Sequence, residues 1–149
     1  MTQPDLAGEV RRIAGADAPL DERASRAAEL IRTRTGRRWV GIYRVTRTEV
    51  RNLAWSGPGA PAYPNFPIDQ GLTGTAVRSR STVLSNDVAN DPRYLTNQES
   101  TGSELIVPVL LDGEVVGTLD VEDAATDAFD EEDRIVFERF AAALTDLYR

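Results

Sequence analysis

A chain of 149 residues, 41% of them apolar, has enough material for one globular domain with one core and one pocket. Its formal net charge of −7 repels nucleic acid and anionic lipid, and no apolar run approaches the roughly 20 residues of a spanning helix. Cysteine, histidine and lysine are all absent. That is read as excluding disulfides, thiol redox chemistry, ordinary zinc and histidine-haem sites, Schiff bases and the phosphate-binding lysine of a P-loop.

In chain order, Leu6, Val10, Ile13 and Ala14 recur at helical spacing, and after Pro19 the segment 21–35 repeats it with Ala24, Ala27, Ala28 and Ile31. Arg32, Arg34, Arg37 and Arg38 straddle Gly36, where they complement the negative end of the second helix; contact with nucleic acid is the alternative use of such a patch. "RWVGIYRV" (38–45) and "EVRNLAW" (49–55) read as a hairpin, and the proline- and glycine-rich "SGPGAPAYPNFP" (56–67) as a long loop without regular structure. "GLTGTAVRS" opens a helix over 72–79, followed by a short strand at 81–85 and a loop with one turn of helix at 86–95. "SELIVPVLL", Asp112-Gly113 and "EVVGTLDVE" predict a tight antiparallel hairpin through a type I′ turn. A last amphipathic helix over 129–148 takes Asp130 as its N-cap and buries a stripe of Val136, Phe140, Ala143, Leu144 and Leu147.

This order implies an α+β fold: a central antiparallel sheet with the N- and C-terminal helices on one face. The other face is covered by the 56–97 region, leaving a ligand pocket between sheet and loops.

Two constellations lie where that pocket should be. Gly71, Thr73 and Gly74 surround a helix N-terminus, whose free N–H groups could bind an anion, or the glycines could serve only to permit the turn. Glu104, Asp120 and Glu122 gather at the open end of the hairpin, with Asp120 and Glu122 on one face. Carboxylates so placed repel one another unless an ammonium group or a metal ion joins them; solvated strand ends are the plainer reading. Trp55, Tyr63, Phe66 and Tyr94 flank the same region. The acidic run 127–133 lacks a calcium-loop pattern and suits a helix N-terminus.

"WVGIYRV", "GLTGTAVRSRSTVLSNDVANDPRY", "SELIVPVLLDGEVVGTLDVE" and "FDEEDRIVFERFAAAL" together resemble a GAF domain, over about residues 24–147. The resemblance is strongest to the free methionine-(R)-sulfoxide reductases, single-domain proteins that reduce the free amino acid with cysteines. It implies a helical extension at 1–20 and a single GAF domain at 21–149. The positions of the family's three cysteines fall on Tyr63, Thr73 and Asn97, while its substrate-binding acids fall on Glu104, Asp120 and Glu122, the last being Asp in the reductases.

The combined expectation is therefore a non-enzymatic, sensory small-molecule-binding module with no catalytic residue, metal or cofactor. Its ligand is an amino-acid-like metabolite held by Glu104, Asp120, Glu122, Thr73, Gly71, Gly74, Trp55, Tyr63, Tyr94 and Asn97. The alternatives are a dimerisation module with a vestigial pocket, using Phe137, Ala141 and Tyr148 on the last helix, and a carboxylate-based enzyme. Without an N-terminal signal-peptide or myristoylation pattern, the sequence reads as a cytoplasmic homodimer with no nucleic-acid or membrane partner.

Overall fold

The computed structural model describes residues 5–94 and 100–149. Helices α1 (Leu6–Ala14) and α2 (Leu20–Thr35) precede strands β1 (Trp39–Val45), β2 (Glu49–Ser56) and β3 (Asn65–Pro67). Then follow α3 (Gly71–Ser79), β4 (Val83–Ser85), a 3₁₀ turn (Val88–Asn90), β5 (Ser103–Leu111), β6 (Glu114–Asp123), α4 (Glu131–Ala143) and a closing 3₁₀ turn (Thr145–Tyr148). The six strands form one sheet in the order β3-β2-β1-β6-β5-β4, and every neighbouring pair is antiparallel. Among the described residues no helix is long and apolar enough to cross a membrane.

Strand alternation divides the sheet into two chemistries. Val40 and Ile42 of β1, Leu105, Val107 and Val109 of β5, and Leu119 and Val121 of β6 share a buried core with the alanine-rich face of α2 and with Phe137, Phe140 and Leu144. Val10 and Ala14 of α1 are fully buried in this core. The opposite face carries Trp39, Gly41 and Tyr43 of β1, Thr118, Asp120 and Glu122 of β6, and Glu104, Ile106 and Pro108 of β5, paired across the strands. That second face is covered by α3 and the chain around β3.

Local signals fix the element ends. Gly36 takes φ 73° and returns its N–H to Arg32 O at 2.9 Å, stopping α2 in the left-handed conformation that glycine adopts without strain. Asp112 (φ 52°) and Gly113 (φ 81°) both lie in that region, as a type I′ turn requires. Asp130 caps α4 reciprocally with Asp133: each side chain accepts the other's backbone N–H at 2.9 Å. The arginines around Gly36 serve mostly as ties to other elements. Arg32 donates to Ser56, Arg34 pairs with Glu9, and Arg37 joins Asp123 at the end of β6 to Asp133 of α4.

Three sequence expectations change. The 56–67 segment contains the short strand β3, tolerated beside Pro64 and at Pro67 because it lies at the sheet edge, where missing donors cost no ladder bond. The last helix ends at Ala143, and the chain tightens into a 3₁₀ turn that brings Tyr148 back over the sheet. Val136 is 39% exposed, whereas Phe137 and Ala141, expected at a dimer surface, are 1% and 2% exposed and belong to the core. Phe137 packs edge-on against Phe129 and Phe140, with centroids 6.3 and 5.6 Å away. Tyr148 is also engaged internally: its hydroxyl donates to Tyr43 O at 2.6 Å, beside a β1–β2 register shift between Ile42 and Tyr43. The ring passes over Gly117, where an added Cβ would stand 2.2 Å from the hydroxyl oxygen.

Because Phe137 is a core residue, Phe137→Ala should lower the unfolding free energy by about 3–5 kcal/mol in a denaturant titration without changing the sedimentation behaviour of the folded protein. Asp130→Ala, which removes half of the reciprocal cap, should cost about 1 kcal/mol in the same experiment.

Candidate functional site

On the second face, Gly41 stands opposite Asp120, with Trp39 and Tyr43 on either side along β1. A Cβ at Gly41 would come within 2.4 Å of the Trp39 ring and 3.0 Å of the Tyr43 ring, so the missing side chain lets both aromatics close over the strand. Trp39 also donates from Nε1 to Gly59 O at 2.9 Å, fastening the 57–64 loop over the sheet. Between that loop, α3 and the strands lies a small cavity of about 30 Å³ lined by Tyr43, Tyr63, Phe66, Gly71, Leu72, Thr73, Glu104 and Asp120.

Six residues singled out from sequence line the cavity together: Glu104, Asp120, Gly71, Thr73, Tyr63 and Phe66. The others stand elsewhere. Glu122 is buried beside Glu104 in the strand register, and its Oε1 accepts a hydrogen bond from Thr101. Trp55 pairs with Gly41 in the β1–β2 ladder, but its ring is 37% exposed and outside the lining. Gly74 is a packing glycine: a Cβ there would stand 2.7 Å from the Asp69 carbonyl carbon. Tyr94 packs against Leu72, Ala76, Val83 and Ile106 behind α3. Asn97 lies outside the described residues.

Gly71 takes φ 71°, so the plainer reading of the turn accounts for its glycine, while Thr73 is carried by the first turn of α3 into the cavity wall. Tyr43 and Leu72 were missed in the sequence. "WVGIYRV" does carry a signal for Tyr43, since Trp39, Gly41 and Tyr43 fall on one face of a strand whose other face is apolar.

The electrostatics of the cavity are one-sided. Glu104 and Asp120 are 6% and 4% exposed, and no arginine is among the lining residues. Burial, then the charges of Glu122, Asp120 and Asp91, hold the Glu104 carboxyl well above the usual carboxylate range. Burial also raises Asp120; the Thr118 hydroxyl pulls it partly back, and Glu122 pushes it further up. Tyr43 is raised by burial and by the charges of Asp120, Glu104 and Glu122, so its phenol stays protonated. Asp91, by contrast, is depressed by its ion pair with Arg93 at 2.7 Å. The cavity thus presents two buried carboxyls whose surroundings favour the protonated form over the ionised one. It can stabilise an incoming ammonium group by ionising, or hand a proton to a bound oxygen. Among the described residues no three acids converge on a point where a metal ion could sit.

The family model of the GAF domain matches residues 17–147. The protein YtsP of Bacillus subtilis (strain 168) is 28% identical over 106 residues, 71% of this chain and 65% of that protein. The free methionine-R-sulfoxide reductase of Saccharomyces cerevisiae is 30% identical over 106 residues, 69% of this chain and 58% of that enzyme. Both alignments therefore span less than two thirds of the curated relative's own length. Among solved structures, the type II free methionine-R-sulfoxide reductase from Thermoplasma acidophilum superposes with a TM-score of 0.78 at 25% identity, over 96% of this chain and 95% of that one.

These likenesses overturn the expectation of a non-enzymatic binding module. Proteins named as reductases share both the sequence pattern and the fold, and a missing cysteine removes only the protein's own thiols from a reaction. The buried carboxyls and the cavity that they line remain. The family model begins just before α2 and ends in the closing 3₁₀ turn, so that every residue lining the cavity falls within it, and the chain belongs to the GAF domain family.

Proposed function

We propose that the chain is an enzyme that reduces a free amino-acid sulfoxide, of which methionine sulfoxide is the first candidate, with a small-molecule thiol as reductant. The observation that carries this reading is the pair of buried acids, Glu104 and Asp120, in a cavity with no basic side chain in its wall. An amino-acid ammonium group supplies the missing cation and lets one carboxyl ionise. Repulsion between the two charges then keeps the other protonated, which divides the roles of ion-pair partner and proton donor between them. Tyr43, Phe66 and Leu72 offer an apolar wall for a thioether chain, and the first-turn N–H groups at Gly71 to Thr73 suit the substrate carboxylate.

The reaction balances without a protein thiol. The remaining carboxylic acid protonates the sulfoxide oxygen, and a thiol from solution takes that oxygen as a sulfenic acid, its own proton restoring the carboxyl. The amino-acid sulfide leaves, and a second thiol converts the sulfenic acid to a disulfide and water. Two thiols are oxidised for each sulfoxide reduced.

Incubation with free methionine-R-sulfoxide and dithiothreitol, followed by chromatography, should yield protein-dependent methionine. Asp120→Asn should lower the rate by about 10²–10⁴-fold, the usual contribution of a positioned proton donor. No methionine above the protein-free control from either sulfoxide epimer, with folded protein and millimolar reactants, would remove the reductase reading.

The same acids predict a pH-dependent stability. A folded-state carboxyl raised above its unfolded value binds its proton more tightly when folded, so its contribution is full below about pH 4 and is lost as pH rises toward the folded value. In the ligand-free protein, Glu104→Gln and Asp120→Asn should therefore raise Tm at pH 7, and the gain over wild type should shrink toward zero near pH 4. A gain that instead grew on acidification would contradict the raised proton affinity.

A further inference from the structure

Thr118 lies in the middle of β6, fully buried, and its Oγ1 stands near enough to Asp120 to act on it but makes no well-aligned hydrogen bond. Two positions on, and on the same face, Asp120 Oδ1 is also buried and unpartnered. Buried polar atoms are almost always paired, so two such atoms at adjacent same-face positions of one strand point to a bond formed in another state of the site. The neighbouring strands do not supply the partner. Thr118 is flanked by Pro108 of β5, whose side chain has no polar atom, and by Tyr43 of β1, whose hydroxyl is engaged by Asn52. A purely structural residue here would be valine, which has the same branched shape and the same fit to a strand, with no hydroxyl to desolvate.

We propose that Thr118 is a positioning residue for Asp120: its hydroxyl is held in reserve for Oδ1 and donates to it when that carboxyl gives up its proton. A protonated carboxyl is a weak acceptor. An ionised one is a charged acceptor, and a hydroxyl within reach stabilises it selectively. The charged and titratable groups around Asp120 are Glu122 on its own strand, Glu104 on β5, Tyr43 on β1 and Tyr148 in the closing turn, and none brings a positive charge. Thr118 is the one neighbour whose effect favours the ionised form. In catalysis, which rests on the reductase reading above, Thr118 sets how readily Asp120 releases its proton to a bound oxygen.

Carbon-detected NMR titration of the Asp120 carboxyl, assigned with Asp120→Asn, reads this effect without turnover. In Thr118→Val the midpoint should rise by about one pH unit, a tenfold weaker acid, and Thr118→Ala should match it. Thr118→Ser should restore most of the difference, with the Glu104 midpoint unmoved throughout. An unchanged Asp120 midpoint in Thr118→Val, an equal movement of Glu104, or an Asp120 that stays protonated across the whole pH range of the folded protein would each overturn the assignment. In the thiol-coupled assay the alkaline limb of the rate should move with the NMR midpoint. A midpoint that moves while no variant turns over sulfoxide would sink the reductase reading and leave the role of Thr118 standing.

Discussion

Glu104 and Asp120 stand on neighbouring strands, almost fully buried, and among the described residues no basic side chain lines their cavity. Taking a carboxyl out of water without a cation is costly, and burial therefore favours the protonated form of both groups. The surrounding structure maintains this state. Gly41 opens the floor opposite Asp120, the Trp39 and Tyr43 rings close over it, and the loop held by Trp39 limits access of solvent. On the other face a dense apolar core fixes the strands, so that the acids cannot turn outward to find water.

The architecture was legible because its signals are local. Asp112-Gly113 between two β-rich runs, Gly36 after the apolar stripe of α2 and Asp130 ahead of α4 each act within a few residues, and each element falls where those residues put it. Where tertiary packing decides, the sequence was ambiguous. On α4, Val136 and Phe137 are adjacent and both apolar, and only the position of Phe129 and Phe140 makes Phe137 the buried one. The same holds for β3, whose pairing with β2 depends on a free sheet edge rather than on any preference of Asn65–Pro67.

The site was legible in part, for a related reason. The Asp112-Gly113 turn brings Glu104 and Asp120 to the same end of the hairpin, but only the register shift between Val109 and Leu110, which the turn does not announce, puts both on one face. Which aromatic residues close the cavity depends on the long 56–67 segment, and nothing in its composition separates Tyr63 and Phe66, which line it, from Trp55, which does not. Thr118 was overlooked although "TLDVE" places polar residues at every second position of a strand with an apolar opposite face. The absence of cysteine speaks only to the chain's own thiols, and the buried acids Glu104 and Asp120 lie outside what that absence can decide.

The clasp between Tyr148 and the Tyr43 carbonyl gives the last turn of the chain a mechanical role. Tyr43 faces the cavity from the strand that holds Gly41 opposite Asp120, and the clasp fastens that strand's main chain from the helical side of the sheet. The closing turn also touches α1 and α2, so it joins the helical layer to a wall of the cavity by way of one hydroxyl. Because Leu147 of the same turn is buried in the core while Tyr148 holds the Tyr43 carbonyl, four residues tie the core and the aromatic wall into one rigid piece.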